Sequence, residues 1–185
     1  NQNFKYTNSD SIKANYHLGS TEGFISFMIR LPETNSMIVI LCNSAPTDFF
    51  GIVKALLKVL YHKPVVLKEP VHKKMETIIA NFSAEKAVEE YQTMKKDTAH
   101  YYIDWLQMYY LGEKLLSLKR YDDARIIGEN NVIEFPDRDL VALSLANIYL
   151  ALNRTADATL YYQKTLQINP AREEAKNRLR ELQSD

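Results

Sequence analysis

The chain has 185 residues, of which 46% are hydrophobic, and it carries 23 basic and 23 acidic side chains. This composition supports a buried core in one or two domains and excludes a disordered chain. The balanced charge argues against nucleic acid or an anionic membrane as the main partner. No apolar run reaches the roughly 18 residues of a membrane span, and the single cysteine excludes an internal disulfide. We predict no nucleic-acid partner, no membrane span, no metal site and no cofactor.

The first sixty residues predict a small sheet followed by one helix. Residues 12–18 and 23–31 have strand character, and the second segment places apolar side chains at alternate positions. A turn at 32–36 leads to an uninterrupted apolar run at 37–42, which is typical of a strand covered on both faces. Residues 49–61 predict a helix that is apolar nearly all round and is therefore buried against the sheet.

This predicted sheet lacks one covering layer. A strand covered on both faces needs two layers, whereas residues 1–62 supply a single helix and too few strands for a complete core. We expect the missing layer to come from sequence absent here, from the helical half, or from another molecule. Because the chain also begins at Asn1 without a methionine, we interpret it as a piece of a longer protein. An uncovered edge strand is a template for another chain, so we predict a dimer through the sheet edge.

A family resemblance lies in the segment His17-Leu18-Gly19-Ser20, followed by Gly23-Phe24, Pro32, the run 38–43 and an apolar helix. This order resembles the C-terminal end of the serine β-lactamase and D-Ala-D-Ala peptidase superfamily, and is most similar to its class C-like, esterase-like branch. In that family a strand along the active site leads into a hairpin and the last long helix. The resemblance covers residues 12–62 and implies a cell-envelope, periplasmic or secreted location for the parent protein.

The resemblance also implies roles for three residues. His17 matches the basic residue of the family's third motif, Gly19 lets substrate lie close to the strand, and the N–H of Ser20 matches a donor to the oxyanion. One such donor contributes roughly two to three orders of magnitude in rate. The family's nucleophile and Tyr-x-Asn motif are missing, and a nucleophile needs its base nearby. We therefore expect this chain by itself to be catalytically inert.

The letters Ser-x-x-Lys do occur at Ser83-Ala84-Glu85-Lys86, after the last family helix. We interpret Ser83 as a helix N-cap. The prolines at 64 and 70 favour an extended linker. The predicted divisions are a β-lactamase-like fragment at 1–62, a linker at 63–70, a helical pair at 71–98, and two repeats with a capping helix at 99–185.

A 34-residue period organises the second half of the chain. Characteristic small residues and prolines recur 34 residues apart. Leu111-Gly112 corresponds to Leu145-Ala146, Ala124 to Ala158, and Pro136 to Pro170. Small residues allow helices to pack closely, and proline ends a helix. This period is the signature of the tetratricopeptide repeat. We predict helices at 99–118, 121–135, 139–152 and 156–168, and a capping helix with a polar face at 171–183. Gly128, inside a helix, predicts a bulky neighbour.

The repeat phase assigns a mostly apolar set of side chains to a binding groove: Leu106, Tyr109, Glu113, Leu116, Leu140, Leu143, Asn147 and Leu150. The Lys/Arg/Asn arrangement that clamps a terminal carboxylate is absent apart from Asn147, so an acidic C-terminus is not the expected ligand. An exposed apolar groove marks an interface. Its occupant is open between the chain's own helices at 73–95, an external peptide, and the catalytic domain.

The predicted fold is α+β, a partial antiparallel sheet with one buried helix followed by an all-α tetratricopeptide helical-repeat domain. Two functions remain open. The first is the C-terminal portion of a β-lactamase-like serine hydrolase, of penicillin-binding or esterase type, whose repeats mediate protein docking or oligomerisation. The alternative is a non-enzymatic tetratricopeptide scaffold that binds a protein or peptide.

Overall fold

The computed structural model describes residues 2–5, 11–21, 23–43 and 49–184, and the chain divides into two compact units at 1–67 and 68–185. The predicted α+β class is confirmed, because a small antiparallel sheet precedes a helical-repeat unit. The first unit contains β1 (Gln2–Lys5), β2 (Ser11–Thr21), β3 (Phe24–Leu31), β4 (Ser36–Cys42) and α1 (Phe49–Leu60).

The four strands form an antiparallel sheet in the order β1-β2-β3-β4. Alternation along β3 turns Phe27, Ile29 and Leu31 toward α1, and these side chains are buried in one cluster with Val53 and Leu57 of that helix. The register pairs His17 with Met28, and Met28 with Val39. These three residues therefore share the opposite face of the sheet.

Within the part of the chain that the structure describes, β4 is covered on one face by α1, and the second layer that we expect from elsewhere stays a prediction. Met37, Val39 and Leu41 point away from α1 and are 59%, 51% and 78% exposed. Helix α1 is itself buried along one face rather than all round, since Val59 is 62% exposed. A run of apolar residues reveals that a strand is suited to two layers, but it does not reveal whether the second layer is present.

The second unit contains β5 (Glu69–Pro70), α2 (Val71–Asn81), α3 (Ala84–Met94), β6 (Tyr101–Tyr102), α4 (Trp105–Ser117), α5 (Tyr121–Glu134), α6 (Asp139–Ala151), α7 (Thr155–Ile168) and α8 (Glu173–Ser184). Helices α2, α4, α6 and α8 begin at residues 71, 105, 139 and 173, so successive starts lie 34 residues apart. The tetratricopeptide-like period thus extends beyond the two predicted copies, to α2 before them and α8 after them.

Local chemistry sets several of the helix boundaries. Ser83 is the N-cap of α3, as predicted, and its hydroxyl accepts the backbone N–H of Lys86 at 3.2 Å. Asp104 caps α4 in the same way and so starts this helix at Trp105, six residues later than the predicted 99. The turns before α5 and α7 are equivalent, because Lys119 and Asn153 each have a φ of 57°. The 34-residue period therefore also fixes turn conformation.

Gly128 provides the predicted close approach between helices. A Cβ added there would lie 3.0 Å from Leu145 Cδ1 and 3.2 Å from Ile148 Cδ1, both on α6. At Gly112 an added Cβ would meet Ser144 Oγ at an ordinary 3.8 Å. The tight contact therefore lies between α5 and α6, which belong to successive repeats. At Gly112, by contrast, the described structure leaves room for a methyl group.

The hairpin of α2 and α3 extends the repeat stack. Its buried side chains, among them Met75 and Tyr91, join a cluster with Met108 and Leu115 of α4 and with Ile127 of α5. The predicted groove residues lie outside this cluster, except Leu116, which packs against it. The alternative in which the helices at 73–95 fill the groove is therefore wrong, because these helices pack on other faces of the first repeat.

Candidate functional site

Helices α4, α6 and α8 bring polar members of the predicted groove together. Glu113 Oε1 on α4 accepts a hydrogen bond from Ser144 Oγ on α6 at 2.5 Å. Asn147 Nδ2 on α6 donates to Glu174 Oε1 on α8 at 3.2 Å. The first helix of each repeat thus contributes to one continuous surface, which we call the repeat groove: Leu106, Tyr109, Tyr110, Glu113, Leu140, Asn147 and Glu174.

The predicted groove residues differ in their accessibility. Leu106, Tyr109, Glu113, Leu140 and Asn147 are half-buried, as residues on a concave surface are expected to be. Leu143 is 4% exposed and belongs to the core cluster around α6 and α7. Its side chain therefore supports the groove from below and offers little area to a ligand.

Asn147 is already engaged within the chain. Its Oδ1 accepts the hydroxyl of Tyr162 at 2.6 Å, while its Nδ2 donates to Glu174. Burial raises the pKa of Tyr162 to about 12, so the phenol stays protonated and remains a donor at physiological pH. Asn147 therefore links α6 to α7 and α8, and it fixes the position of the Glu174 carboxylate.

Two tyrosines form the aromatic part of the repeat groove. The rings of Tyr109 and Tyr110 lie 5.1 Å apart between centroids, and Tyr110 is 52% exposed. Burial, followed by the nearby Glu113 carboxylate, raises the pKa of the Tyr109 hydroxyl, and Glu174 contributes in the same direction. The potential at Tyr109 is thus shaped by carboxylates from two helices, with Arg172 acting in the opposite direction.

The charges around the repeat groove are unequally paired. Arg172 is held by Asp139 through Nε at 2.9 Å and Nη2 at 2.5 Å, and Arg178 is held by Glu181 at 2.9 Å. By contrast, neither Glu113 nor Glu174 has an ion-pair partner within residues 49–184. Glu174 lies within electrostatic range of Arg178, although that guanidinium is paired with Glu181. Two carboxylates that form no direct ion pair therefore lie beside exposed aromatic area, an arrangement that favours a cation.

The repeat phase read from the sequence left Tyr110 and Glu174 out of the predicted groove. Glu174 lies 34 residues after Leu140 and so has the same place on α8 that Leu140 has on α6. Extending the repeat phase into the tail helix would have found it. Tyr110 is adjacent to a predicted groove residue, and its exposure depends on the rotation of α4, which periodicity alone does not fix.

The structure places two of the three residues that the hydrolase resemblance implies at one cavity. Gly19 and Ser20 border a cavity of about 580 Å³ at the end of β2, β3 and β4, whose lining includes Ser26 and Cys42. His17 lies outside this lining, on the uncovered face of the sheet, whereas Ser20 turns to the opposite face. The backbone of His17 pairs with Met28 in the sheet, but its imidazole forms no hydrogen bond or ion pair with a residue whose position is described.

The described residues also lack two other kinds of site. No group of three His, Cys, Asp or Glu side chains in the described ranges is placed to hold a metal ion. No helix in these ranges combines the length and apolarity needed to span a bilayer.

No family model matches the chain, and a search of curated proteins found no match. Among solved structures, the chain is similar to the first tetratricopeptide repeat domain of Spaghetti (RPAP3) bound to the HSP90 peptide SRMEEVD. The two chains are 18% identical, the alignment covers 62% of this chain and 88% of the other, and the TM-score is 0.43.

Proposed function

We propose that the helical unit is a protein-docking module whose repeat groove binds a peptide segment carrying apolar side chains and at least one lysine or arginine. The observation that carries this proposal is the pair of carboxylates, Glu113 and Glu174, which flank the tyrosines and form no direct ion pair in the described helical unit. A cationic side chain would restore the charge balance and would find a favourable aromatic face.

The apolar part of the ligand follows from the rest of the groove. Leu106 on α4 and Leu140 on α6 occupy equivalent positions one repeat apart, and both remain half-buried. Aliphatic and aromatic area of this kind supplies the anchoring contacts of peptide grooves, while charged groups at its border select the ligand and its orientation. The ligand class is therefore an amphipathic, basic peptide.

A selection from a random peptide library displayed on phage tests this proposal, because it samples many ligand sequences at once. We expect the recovered peptides to be enriched in Lys or Arg beside Leu, Ile or Phe, and depleted of Asp and Glu. The acidic peptide SRMEEVD is the counter-probe, and we expect no binding to it in fluorescence anisotropy. Recovery of acidic peptides, or failure to recover any binding sequence, would reject the proposal.

Matched variants then locate the binding surface. Replacing both carboxylates, Glu113→Gln with Glu174→Gln, is expected to weaken binding of the recovered peptides at least tenfold, about 1.4 kcal/mol. The control is Glu89→Gln on α3, which removes an exposed carboxylate that pairs with Lys86 away from the groove. Equal binding by the double variant and the control would show that the peptide binds elsewhere.

The second candidate is the C-terminal part of a β-lactamase-like serine hydrolase, located in the cell envelope. One observation favours it: Gly19 and Ser20 border the cavity at the end of the sheet, where that family would place substrate. In this candidate the repeats serve the enzyme by docking or oligomerisation, and the catalytic nucleophile lies in sequence beyond this chain.

Labelling of the protein purified from its native source tests the second candidate. A fluorescent penicillin would report peptidoglycan-type chemistry, and a serine-reactive phosphonate would report an esterase. Absence of both labels would reject the hydrolase candidate and would leave the peptide-docking proposal untouched.

A further inference from the structure

Strand β4 has a free edge within the described sheet. It is the last strand in the order β1-β2-β3-β4, so the backbone N–H and C=O groups on its far side have no strand partner among the described residues. Exposed edges are usually protected by charged side chains, proline or a bulge. The seven residues of β4, Ser-Met-Ile-Val-Ile-Leu-Cys, include neither a charge nor a proline.

The side chains of β4 define what can pair with this edge. Met37, Val39 and Leu41 are exposed on the uncovered face, and Ile38 and Ile40 are half-buried on the face toward α1. A partner strand must therefore be extended, uncharged and apolar on both faces. The strand β4 itself meets all three conditions, and two copies can approach without bringing like charges together.

We propose that β4 pairs with β4 of a second copy of this chain, antiparallel and about a two-fold axis at Val39. This register pairs all seven residues, with Met37 opposite Leu41 and Val39 opposite its own counterpart. Any other register leaves part of the apolar strand unpaired. The interface is isologous and closes after two copies, so it produces a dimer with one continuous sheet.

Sedimentation of the full 185-residue chain is the first test. We expect a concentration-dependent dimer that Val39→Lys converts to a monomer with an unchanged circular dichroism spectrum, because a lysine at the centre of an edge strand opposes pairing. The matched control is Met28→Lys, on the same sheet face and directly beside Val39 but on the inner strand β3. We expect this variant to remain dimeric.

Cysteine cross-linking tests the register. In a Cys42→Ser background, Val39→Cys is expected to form a disulfide-linked dimer under mild oxidation, because directly opposed residues have Cβ atoms about 5 Å apart. Met28→Cys is expected not to cross-link. Its two copies would lie three strand spacings apart, about 14 Å, which is beyond disulfide reach.

Three results would overturn the proposal. The first is a monomer throughout the soluble concentration range. The second is loss of the dimer in Met28→Lys to the same extent as in Val39→Lys, which would indicate that the uncovered faces pack on one another. The third is a dimer in which Val39→Cys does not cross-link. Each result leaves the peptide-docking proposal for the repeat groove untouched, because β4 lies in the first unit.

Discussion

Two glycines, one in α4 and one in α5, have different packing environments. Gly112 and Gly128 both lie inside helices and both are buried. Replacing a helical glycine by alanine gains about 1 kcal/mol of helix propensity when space is available. Gly112→Ala is therefore expected to raise the free energy of unfolding by up to about 1 kcal/mol. Gly128→Ala is expected to lower it, because the new methyl would press on Leu145 and Ile148, which are both fully buried.

Chemical denaturation of the two variants checks this contrast, and Gly128→Val extends it. The valine variant is expected to lose about 2 to 3 kcal/mol, since it adds further methyl groups to the same contact. Equal stabilisation by Gly112→Ala and Gly128→Ala would contradict the packing argument. It would mean that the side chains of α6 move aside without cost.

His72 links the stability of the helical unit to pH. Its imidazole is buried at the start of α2, and burial, assisted by the adjacent Lys73, lowers its pKa below the usual 6.5 despite the opposing charges of Glu76 and Asp104. Between the folded-state pKa and about pH 6.5, the unfolded chain binds a proton that the folded chain does not, so the free energy of unfolding rises with pH. This contribution to stability is lost as the pH falls from about 6.5 toward the folded-state pKa.

We expect the thermal midpoint of the helical unit to decrease when the pH is lowered from about 7.5 to about 5.5. Trp105 fluorescence follows this midpoint. His72→Asn should flatten this dependence, because it removes the titrating group and keeps a polar side chain. A direct NMR titration should give His72 an apparent pKa below 6.5. An unchanged pH slope in His72→Asn would show that other groups carry the dependence.

At the scale of elements, helix α3 is tied to α5 by one carboxylate. Glu134 accepts hydrogen bonds from Tyr91 Oη at 3.1 Å and from Lys95 Nζ at 2.7 Å. Burial raises the pKa of Tyr91, whose residue is 1% exposed. Glu134→Ala is expected to lower the free energy of unfolding by about 2 kcal/mol, since it leaves a buried hydroxyl without an acceptor.

A double-mutant cycle separates this effect from simple loss of charge. In a Tyr91→Phe background, Glu134→Ala is expected to cost clearly less, because no hydroxyl is left unpaired. The chemical-denaturation midpoints of the four proteins give the coupling. A cost that is the same in both backgrounds would assign the stabilisation to Lys95 instead.

The sequence predicts an element well when nearby residues determine it, and poorly when contacts with distant residues determine it. The helices of the repeats follow from Gly, Ala and Pro at fixed spacing, and their bounds at α5, α6 and α7 agree with the prediction to within a residue. The apolar run of β4 predicts the strand but not its cover, because cover depends on other layers. The sequence also predicts the two helices of the α2–α3 hairpin, yet their place in the stack depends on side chains such as Met75 that meet distant residues.

The groove shows the same division between local and distant information. Repeat phase predicts Tyr109, Glu113 and Asn147 as groove residues, and the structure has the first two on α4 and the third on α6. Repeat phase does not show that Asn147 is occupied by Tyr162 and Glu174, because these partners come from helices α7 and α8. The pairing state of each charge, on which ligand selection depends, becomes visible only in three dimensions.

At the scale of the whole molecule, the two units have separate cores. One cluster lies between the sheet and α1, and the clusters of the helical unit contain no residue of the first unit among those described. The first unit is also small and leaves one sheet face exposed, and small cores give limited stability. We expect two unfolding transitions in denaturant, with the first unit unfolding at the lower concentration.

The single tryptophan makes this prediction measurable. Trp105 lies in the helical unit, with the guanidinium of Arg138 at 4.8 Å over its ring, so its fluorescence reports that unit. Circular dichroism reports both units, and the two signals should therefore not coincide. Leu57→Ala, which opens a cavity under α1 and costs about 2 to 5 kcal/mol, should shift the first transition and leave the Trp105 midpoint in place. A parallel shift of both signals would instead show that the two units unfold as one cooperative body.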